Sequence, residues 1–210
     1  MIEYIVPGNI DDRILARAVK LLQGGGIAAI PTDTSWSLVC SMHSHEGIKR
    51  LKNLSQERDE RLFTLLCSGI SQFGEFCSLD NTRFRLIKRL TPGPYVFILK
   101  TLLGTEKTLG LKRSEIGVRL PDYPVPLALI DALGCPLYGI TAKRNDLNDE
   151  DDEFFREETL FEGGWELEEI QGLDIILDPG EDRMRIFSTV LDISSGEVEV
   201  IRQGAGLWPV

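Results

Sequence analysis

A hydroxyl-rich turn between two short apolar runs most constrains how this chain can fold. Residues 27–30 predict a buried strand, and residues 38–40 predict a second strand that leaves the turn. Between them lie Pro31 and the polar residues 32–35, which include one carboxylate, that of Asp33. Small hydroxyls at a strand end can bind a small polar ligand without filling its space. The turn therefore predicts a ligand pocket, and the plainer alternative is a cap on the strand.

Helix and strand patterns alternate along the whole chain. Strands are predicted at 2–6, 27–30, 38–40, 62–67, 95–100, 116–120, 137–140, 173–177, 187–193 and 197–202. Helices are predicted from a cap at Asp11 or Asp12 to Gly24, from Ser44 to about Asn53, from Asp80 to Leu90, from Pro124 to Leu133, and within 150–160 and 165–170. No repeat or long linker divides the chain. We therefore expect one α/β domain with an open, twisted, mixed sheet.

Charge is unevenly distributed along the chain. Residues 49–144 carry 16 basic and 9 acidic side chains, whereas residues 145–210 carry 4 and 19, and the whole chain has a net charge of -10. A basic middle suits an anionic ligand such as a triphosphate, with RNA as a second candidate. The acidic final third argues against non-specific nucleic-acid binding, and its first part, 145–170, is expected to be an acidic surface insertion. The alternative is that both blocks are solvated faces.

Other features bear on location and on metals. No apolar run approaches the roughly 20 residues that span a membrane, and the N-terminus lacks the pattern of a signal peptide. The four cysteines lie among apolar residues without a C-x-x-C spacing, which is typical of buried thiols in a reducing compartment. We expect a cytoplasmic protein with no membrane partner. His43 and His45 lack further ligands at a suitable spacing, so no protein-bound metal is expected.

Six segments in a fixed order carry a family resemblance. They are PTDTSWSL at 31–38, TPGPYVFIL at 91–99, GVRLP at 117–121, GITAKR at 139–144, STVLD at 188–192 and IRQGAG at 201–206. Together they resemble the threonylcarbamoyl-AMP synthase family, also called the YrdC-like domain, and its YciO-like branch most closely. The resemblance runs from about residue 10 to residue 206. It implies a single YrdC-like domain over 1–210, whose open α/β sheet surrounds a deep, basic cavity.

The resemblance implies a nucleotidyltransferase reaction. L-threonine, bicarbonate and ATP would give L-threonylcarbamoyl-adenylate and pyrophosphate, and the product would serve t6A modification of tRNA. Mg²⁺ would accompany ATP, held by phosphates and water. Threonine and bicarbonate would first form a carbamate, and this carbamate would itself attack the α-phosphorus of ATP. The protein would therefore need only to position the reactants and stabilise charge.

Two other functions remain open. Relatives have been described as binding double-stranded RNA. One alternative is therefore a YciO-like factor that binds double-stranded RNA, tRNA or the ribosome, keeps the nucleotide cavity and has little synthase activity. The other is a relative that acts on a different carbamoyl or adenylyl substrate.

The resemblance also implies site residues. It assigns threonine binding to Thr32, Thr34, Arg119, Thr141 and Ser188. It assigns ATP binding to Lys52, Arg58, Ala142, Lys143 and Arg202. In the family pattern Arg119 holds the threonine carboxylate and Lys52 faces the phosphates. The plainer alternatives are a surface pair of Arg119 with Asp122 and a solvated Lys52.

This chain departs from the family pattern in three places. Leu54 stands where the second cation of a Lys-x-Arg element is expected, and Arg58 or Arg61 would have to substitute for it. Lys143 replaces the asparagine of a Ser-Ala-Asn motif, so a point charge replaces an amide. Trp-Ser at 36–37 replaces the usual Tyr-Gly. Leu54 and Lys143 favour the alternative functions, whereas the retained Thr34, Arg119, Ser188 and Arg202 favour the synthase.

Overall fold

Ten strands and six α-helices alternate in the computed structural model, which describes residues 1–55, 63–144 and 157–209. The strands are β1 (Ile2–Tyr4), β2 (Ala28–Pro31), β3 (Trp36–Ser41), β4 (Thr64–Leu66), β5 (Tyr95–Lys100), β6 (Glu115–Arg119), β7 (Leu137–Thr141), β8 (Ile175–Asp178), β9 (Thr189–Asp192) and β10 (Glu199–Arg202). The helices are α1 (Asp12–Gln23), α2 (His45–Ser55), α3 (Ile70–Phe76), α4 (Asn81–Leu90), α5 (Thr105–Leu109) and α6 (Pro124–Leu133). Two 3-10 helices follow at Glu157–Thr159 and Gly164–Glu169.

All ten strands belong to one mixed sheet, in the order β1-β8-β2-β3-β7-β4-β6-β5-β9-β10. Four neighbouring pairs are parallel and five are antiparallel. In this order β9 is the sixth strand after β2. Neighbouring strands are rotated relative to one another by roughly 20–25°, so the twist between β2 and β9 adds up to roughly 120–150°. The twist therefore lets the end of β2 meet the start of β9. The expected single α/β domain with an open, mixed sheet is confirmed, while the deep basic cavity stays a prediction.

Helices cover both faces of the sheet. On one face α1 packs against α6, and Leu22 and Ile130 are buried there against Ala28 and Ile30 of β2. On the other face α2 packs against β3, with Leu51 buried in the larger core. Successive strand side chains point to opposite faces, so both faces of the central strands are apolar. The sheet is thus the middle layer of three.

Side-chain caps begin three of the helices where the sequence predicts them. The Asp11 carboxylate accepts a hydrogen bond from the backbone of Arg13 at 2.8 Å, and Asp80 does the same for Arg83 at 2.8 Å. The Ser44 hydroxyl accepts from the backbone N–H of Gly47 at 3.1 Å. Each cap satisfies a backbone donor that has no partner within the helix. The predicted helix starts at these three positions are confirmed.

Two short helices, α3 and α5, have no counterpart in the sequence prediction. Each follows a glycine, Gly69 or Gly104, that has no side chain with which to cap the helix. Five to seven residues are also too few for a helical apolar pattern to be recognised. Their sequences therefore lack the two signals that identify the longer helices.

The acidic segment near residue 160 is partly built into the core. Leu160, Phe161 and Leu167 are buried, and Phe161 belongs to the larger core cluster. The helix predicted at 165–170 is a 3-10 helix, and most of the one predicted within 150–160 lies outside the described residues. The acidic surface insertion stays a prediction for 145–156, which also lie outside them.

The cysteine prediction is confirmed, because all four thiols are free and buried. Within the described ranges no helix has the length and apolar character needed to cross a membrane.

Candidate functional site

The four-residue turn that joins β2 to β3 is held by its own hydroxyls. The Thr32 hydroxyl donates to the Ser35 carbonyl at 2.7 Å and accepts from the Thr34 backbone N–H at 3.2 Å. The side chains of Thr32 and Thr34 also meet, with 3.2 Å between their hydroxyl oxygens. Both threonines are only 1% exposed. Thr32 therefore fixes the shape of the turn, and this shape sets the position of Thr34.

Arg119 reaches this turn from the last position of β6. Its Nη2 donates to Asp33 Oδ1 at 2.6 Å and to the Thr34 hydroxyl at 3.2 Å. The side chains of Arg119 and Asp33 are 6% and 13% exposed. Arg119 is thus paired with Asp33, and the alternative of a surface pair with Asp122 is wrong. The sequence places the Asp33 carboxylate in the turn that predicts a ligand pocket, but Asp33 is not among the site residues that the family resemblance implies.

The Arg119–Asp33 pair has unused hydrogen-bonding capacity. Burial lowers the pKa of Arg119, while the charge of Asp33 and its hydrogen bond act in the opposite direction. Arg119 Nε and Asp33 Oδ2 are both buried and have no hydrogen-bond partner among the residues that the structure describes. Such atoms are uncommon in folded proteins because each costs about 1–3 kcal/mol. One donor and one acceptor therefore remain available in the same buried cluster.

Ser188 forms a further side of the cluster. Its hydroxyl lies 3.5 Å from the Thr34 hydroxyl, and its carbonyl accepts from Arg202 Nε at 2.9 Å. The turn after β10 packs tightly behind it, since a Cβ on Gly204 would lie 2.2 Å from the Phe187 carbonyl oxygen. Only glycine fits there without movement of the backbone. The IRQGAG motif therefore supports the position of Ser188.

Arg202 adds a second guanidinium near Arg119. Its pKa is lowered to about 10, first by burial and then by the charge of Arg119. Its guanidinium also lies over the Phe187 ring, 4.8 Å from the centroid. Because the charge of Arg119 is felt at Arg202, the two guanidinium groups together favour the binding of an anion nearby.

The other predicted site residues occupy neighbouring elements. Thr141 pairs with Ser37 at the end of β7, and the buried Ala142 donates its backbone N–H to the Trp36 carbonyl at 2.8 Å. The backbone of Lys143 pairs with that of Leu160 in an isolated antiparallel β-bridge. These three residues therefore adjoin the 32–35 turn through Trp36.

The predicted phosphate residues have separate surroundings. Lys52 Nζ donates to the Gly110 carbonyl at 3.2 Å, at the end of α5. Leu54 packs against the larger core and carries no charge. Arg58 and Arg61, for which a substitute role was predicted, lie outside the described residues.

Of the predicted site residues, the structure brings together Thr32, Thr34, Arg119, Ser188 and Arg202 through direct contacts.

Comparison with known proteins identifies the family. A family model for Sua5, YciO and YrdC proteins, described as "Telomere recombination", matches residues 20–204. The chain belongs to this family. It is 32% identical over 206 residues to the uncharacterized protein YciO of Escherichia coli K12, covering 97% of this chain and 95% of that protein. It is 26% identical over 200 residues to threonylcarbamoyl-AMP synthase of Mus musculus, covering 92% and 68%.

Solved structures give the same result for the fold. The crystal structure of Escherichia coli YciO matches with a TM-score of 0.85 at 29% identity, over 100% of this chain and 98% of that one. The crystal structure of Sua5 from P. abyssi complexed with L-threonine matches with a TM-score of 0.80 at 19% identity. That match covers 97% of this chain but only 57% of the Sua5 chain. The fold is therefore shared with proteins that have substantial additional sequence.

Proposed function

We propose that this protein binds L-threonine and ATP and forms L-threonylcarbamoyl-adenylate from them and bicarbonate. The observation that carries the proposal is the pair of buried atoms without partners, Arg119 Nε and Asp33 Oδ2. An α-amino acid is a zwitterion, so its carboxylate needs donors and its ammonium group needs an acceptor. A guanidinium N–H beside a carboxylate oxygen supplies both within one cluster.

In the proposed complex, each group of threonine has a matching partner. The substrate carboxylate accepts from Arg119 Nε and is also within the range of the Ser188 and Thr34 hydroxyls. The ammonium group donates to Asp33 Oδ2. After proton loss, the amine nitrogen and bicarbonate form a carbamate and release water, and a carbamate oxygen then attacks the α-phosphorus of ATP and displaces pyrophosphate. The side chains position the reactants, and no covalent bond to the protein is required.

For the nucleotide, the proposal uses the predicted residues that adjoin the cluster. Arg202, Lys143 and the backbone around Ala142 would face ATP, and Lys52 and Arg58 would face its phosphates. Mg²⁺ would arrive bound to ATP and would neutralise phosphate charge. We place this reaction in the cytoplasm, where its product would serve t6A modification of tRNA. The threonylcarbamoyl-AMP synthases among the relatives and the Sua5 structure with L-threonine support the proposal.

Calorimetric titration of L-threonine in the presence of ATP tests the amino-acid site. We expect Arg119→Lys to weaken threonine binding roughly tenfold to a hundredfold while ATP affinity is kept, because a lysine cannot reproduce the guanidinium geometry. Thr34→Val should act in the same direction but more weakly, because it removes a neutral hydroxyl. Arg85→Lys on the exposed face of α4 is the matched control. Equal threonine affinities in wild type and Arg119→Lys would refute the site.

A second titration isolates the role of Asp33. The 2-hydroxy analogue of threonine, 2,3-dihydroxybutyrate, has the carboxylate but a neutral hydroxyl in place of the ammonium group. Wild-type protein should prefer threonine to this analogue, and Asp33→Asn should remove most of the preference because the amide oxygen carries no charge. If Asp33→Asn keeps the full preference, the ammonium group binds elsewhere. Release of pyrophosphate from ATP that requires both threonine and bicarbonate would then test turnover.

A further inference from the structure

Two more buried guanidinium nitrogens lack hydrogen-bond partners in the part of the chain that the structure describes. They are Arg183 Nε and Arg185 Nε, both in residues 179–187, which we call the crossing segment because it connects β8 to β9. The Arg183 side chain is only 15% exposed. Arg185 Nε lies 3.2 Å from Glu162 Oε1, but its N–H does not point at that oxygen well enough to donate. Both arginines thus retain a buried donor.

One side of the crossing segment contacts the end of the sheet where the nucleotide residues are predicted. The backbone N–H of Arg183 donates to the Glu162 carbonyl at 2.8 Å, and Trp36 Nε1 donates to the same oxygen at 2.9 Å. Trp36 in turn accepts the backbone N–H of Ala142 at 2.8 Å. A continuous set of contacts therefore links Arg183 to Ala142 and to the 32–35 turn.

The other side of the crossing segment approaches the threonine cluster. The Arg183 guanidinium lies over the Tyr123 ring, 5.0 Å from its centroid, and Tyr123 follows Arg119 by four residues. The segment is followed directly by Ser188, which contacts Thr34. Arg183 therefore lies between Glu162, whose carbonyl also contacts Trp36, and Tyr123, which follows the strand that carries Arg119, and Arg185 lies beside Glu162.

The two guanidinium groups themselves suit an anion with more than one negative charge, although the segment around them is acidic. They are two of only four basic side chains among residues 145–210. Their carboxylate neighbours are weak competitors, because Glu162 and Glu181 are 46% and 74% exposed and Glu181 lies 3.5 Å from Arg183 Nη2. A guanidinium fork binds a phosphate through two parallel hydrogen bonds. Leu54, by contrast, offers no charge at the position where the family pattern has its second cation.

We propose that Arg183 and Arg185 form an anion subsite that holds the terminal phosphates of the nucleotide. The subsite rests on the proposed function, in that ATP is taken as the ligand. In this arrangement the phosphates accept from the guanidinium N–H groups and displace the exposed carboxylate of Glu162. The crossing segment thereby supplies positive charge in place of the second cation that is missing at Leu54 of α2.

Titration with inorganic pyrophosphate tests the subsite directly. Arg183→Gln and Arg185→Gln should each weaken pyrophosphate and ATP at least tenfold, whereas AMP and L-threonine affinities stay within twofold of wild type. Arg85→Gln on the outer face of α4 is the matched control and should bind all four ligands like wild type. If a glutamine variant loses its circular-dichroism spectrum, the corresponding lysine variant replaces it. A lysine variant should still bind pyrophosphate several-fold more weakly, because it has no fork.

The results separate the subsite from the proposed function. The subsite is refuted if wild type does not bind pyrophosphate, or if folded variants bind it as tightly as wild type. In the second case threonine and ATP binding by wild type would leave the proposed function standing. Conversely, arginine-dependent pyrophosphate binding without threonine binding would support the subsite and reject the proposed function.

Discussion

The close approach of Gly204 to the backbone at Ser188 gives a prediction with a magnitude. In a Gly204→Ala variant, the new Cβ would lie 2.2 Å from the Phe187 carbonyl oxygen and 2.6 Å from the Ser188 carbonyl carbon. Ordinary contacts of this kind are longer than 3.0 Å, so the 203–206 turn must move by about 0.8 Å or more. Overpacking of this kind costs about 1–3 kcal/mol. For a protein of this size the melting temperature should fall by roughly 2–12 °C.

The same movement should weaken the site. Ser188 is held by Arg202 at the end of β10 and by the turn that follows, where the Ala205 N–H donates to the Phe187 carbonyl at 2.9 Å. Differential scanning calorimetry measures the stability, and threonine titration measures the site. Gly196→Ala is the control, because a Cβ there has no neighbour within 4 Å. Equal melting temperatures for the two alanine variants would show that the Gly204 contact does not constrain the fold.

Two further predictions concern titrating groups. Burial raises the pKa of both Cys40 and Cys77 to about 12 and also raises that of Cys67. Because the thiolate is the reactive form, these thiols of the native protein should barely react with a disulfide reagent at pH 8, and they should react fully in denaturant. Fast native reaction would contradict their burial. Burial alone would raise the pKa of Glu166, but the Arg144 guanidinium at 2.6 Å and two backbone N–H groups lower it. The stabilisation is present above the ordinary carboxyl pKa and is lost as pH falls through the lowered value. Urea unfolding should therefore show a smaller loss of stability from pH 7 to pH 3 in Glu166→Gln than in wild type, by up to about 1 kcal/mol; equal losses would contradict this.

Local sequence signals predicted much of the fold but only part of the site. The caps at Asp11 and Asp80 and the apolar strands depend on residues that are close in sequence, and they appear where expected. The partner of Arg119 depends on the twist of the sheet, which brings Asp33 to it across 86 positions of the chain. The nearby Asp122 was therefore a plausible partner by sequence distance and the wrong one in space.

The family resemblance named most of the clustered residues, but it did not include the crossing segment. Arg183 and Arg185 lie in an acidic third of the chain and in no recognised motif, so composition gave no reason to select them. The acidic pattern near residue 165 also predicted a helix, and the segment forms a 3-10 helix that begins at Gly164 and follows Gly163. A Cβ on Gly164 would lie 2.4 Å from the Asp178 carboxyl carbon, so tertiary packing decides the local structure there.

The twist of the sheet, which brings the residues after β2 close to those before β9, also means that threonine binding reports whether the whole sheet has formed. Thr34 and Ser188 are 154 positions apart, and they meet only after the seven strands from β2 to β9 have aligned in one sheet. A partly folded chain that lacks its last two strands would keep most helices and still have no threonine pocket. Threonine, by binding only the finished sheet, would slow amide hydrogen exchange throughout these strands, including those it never touches.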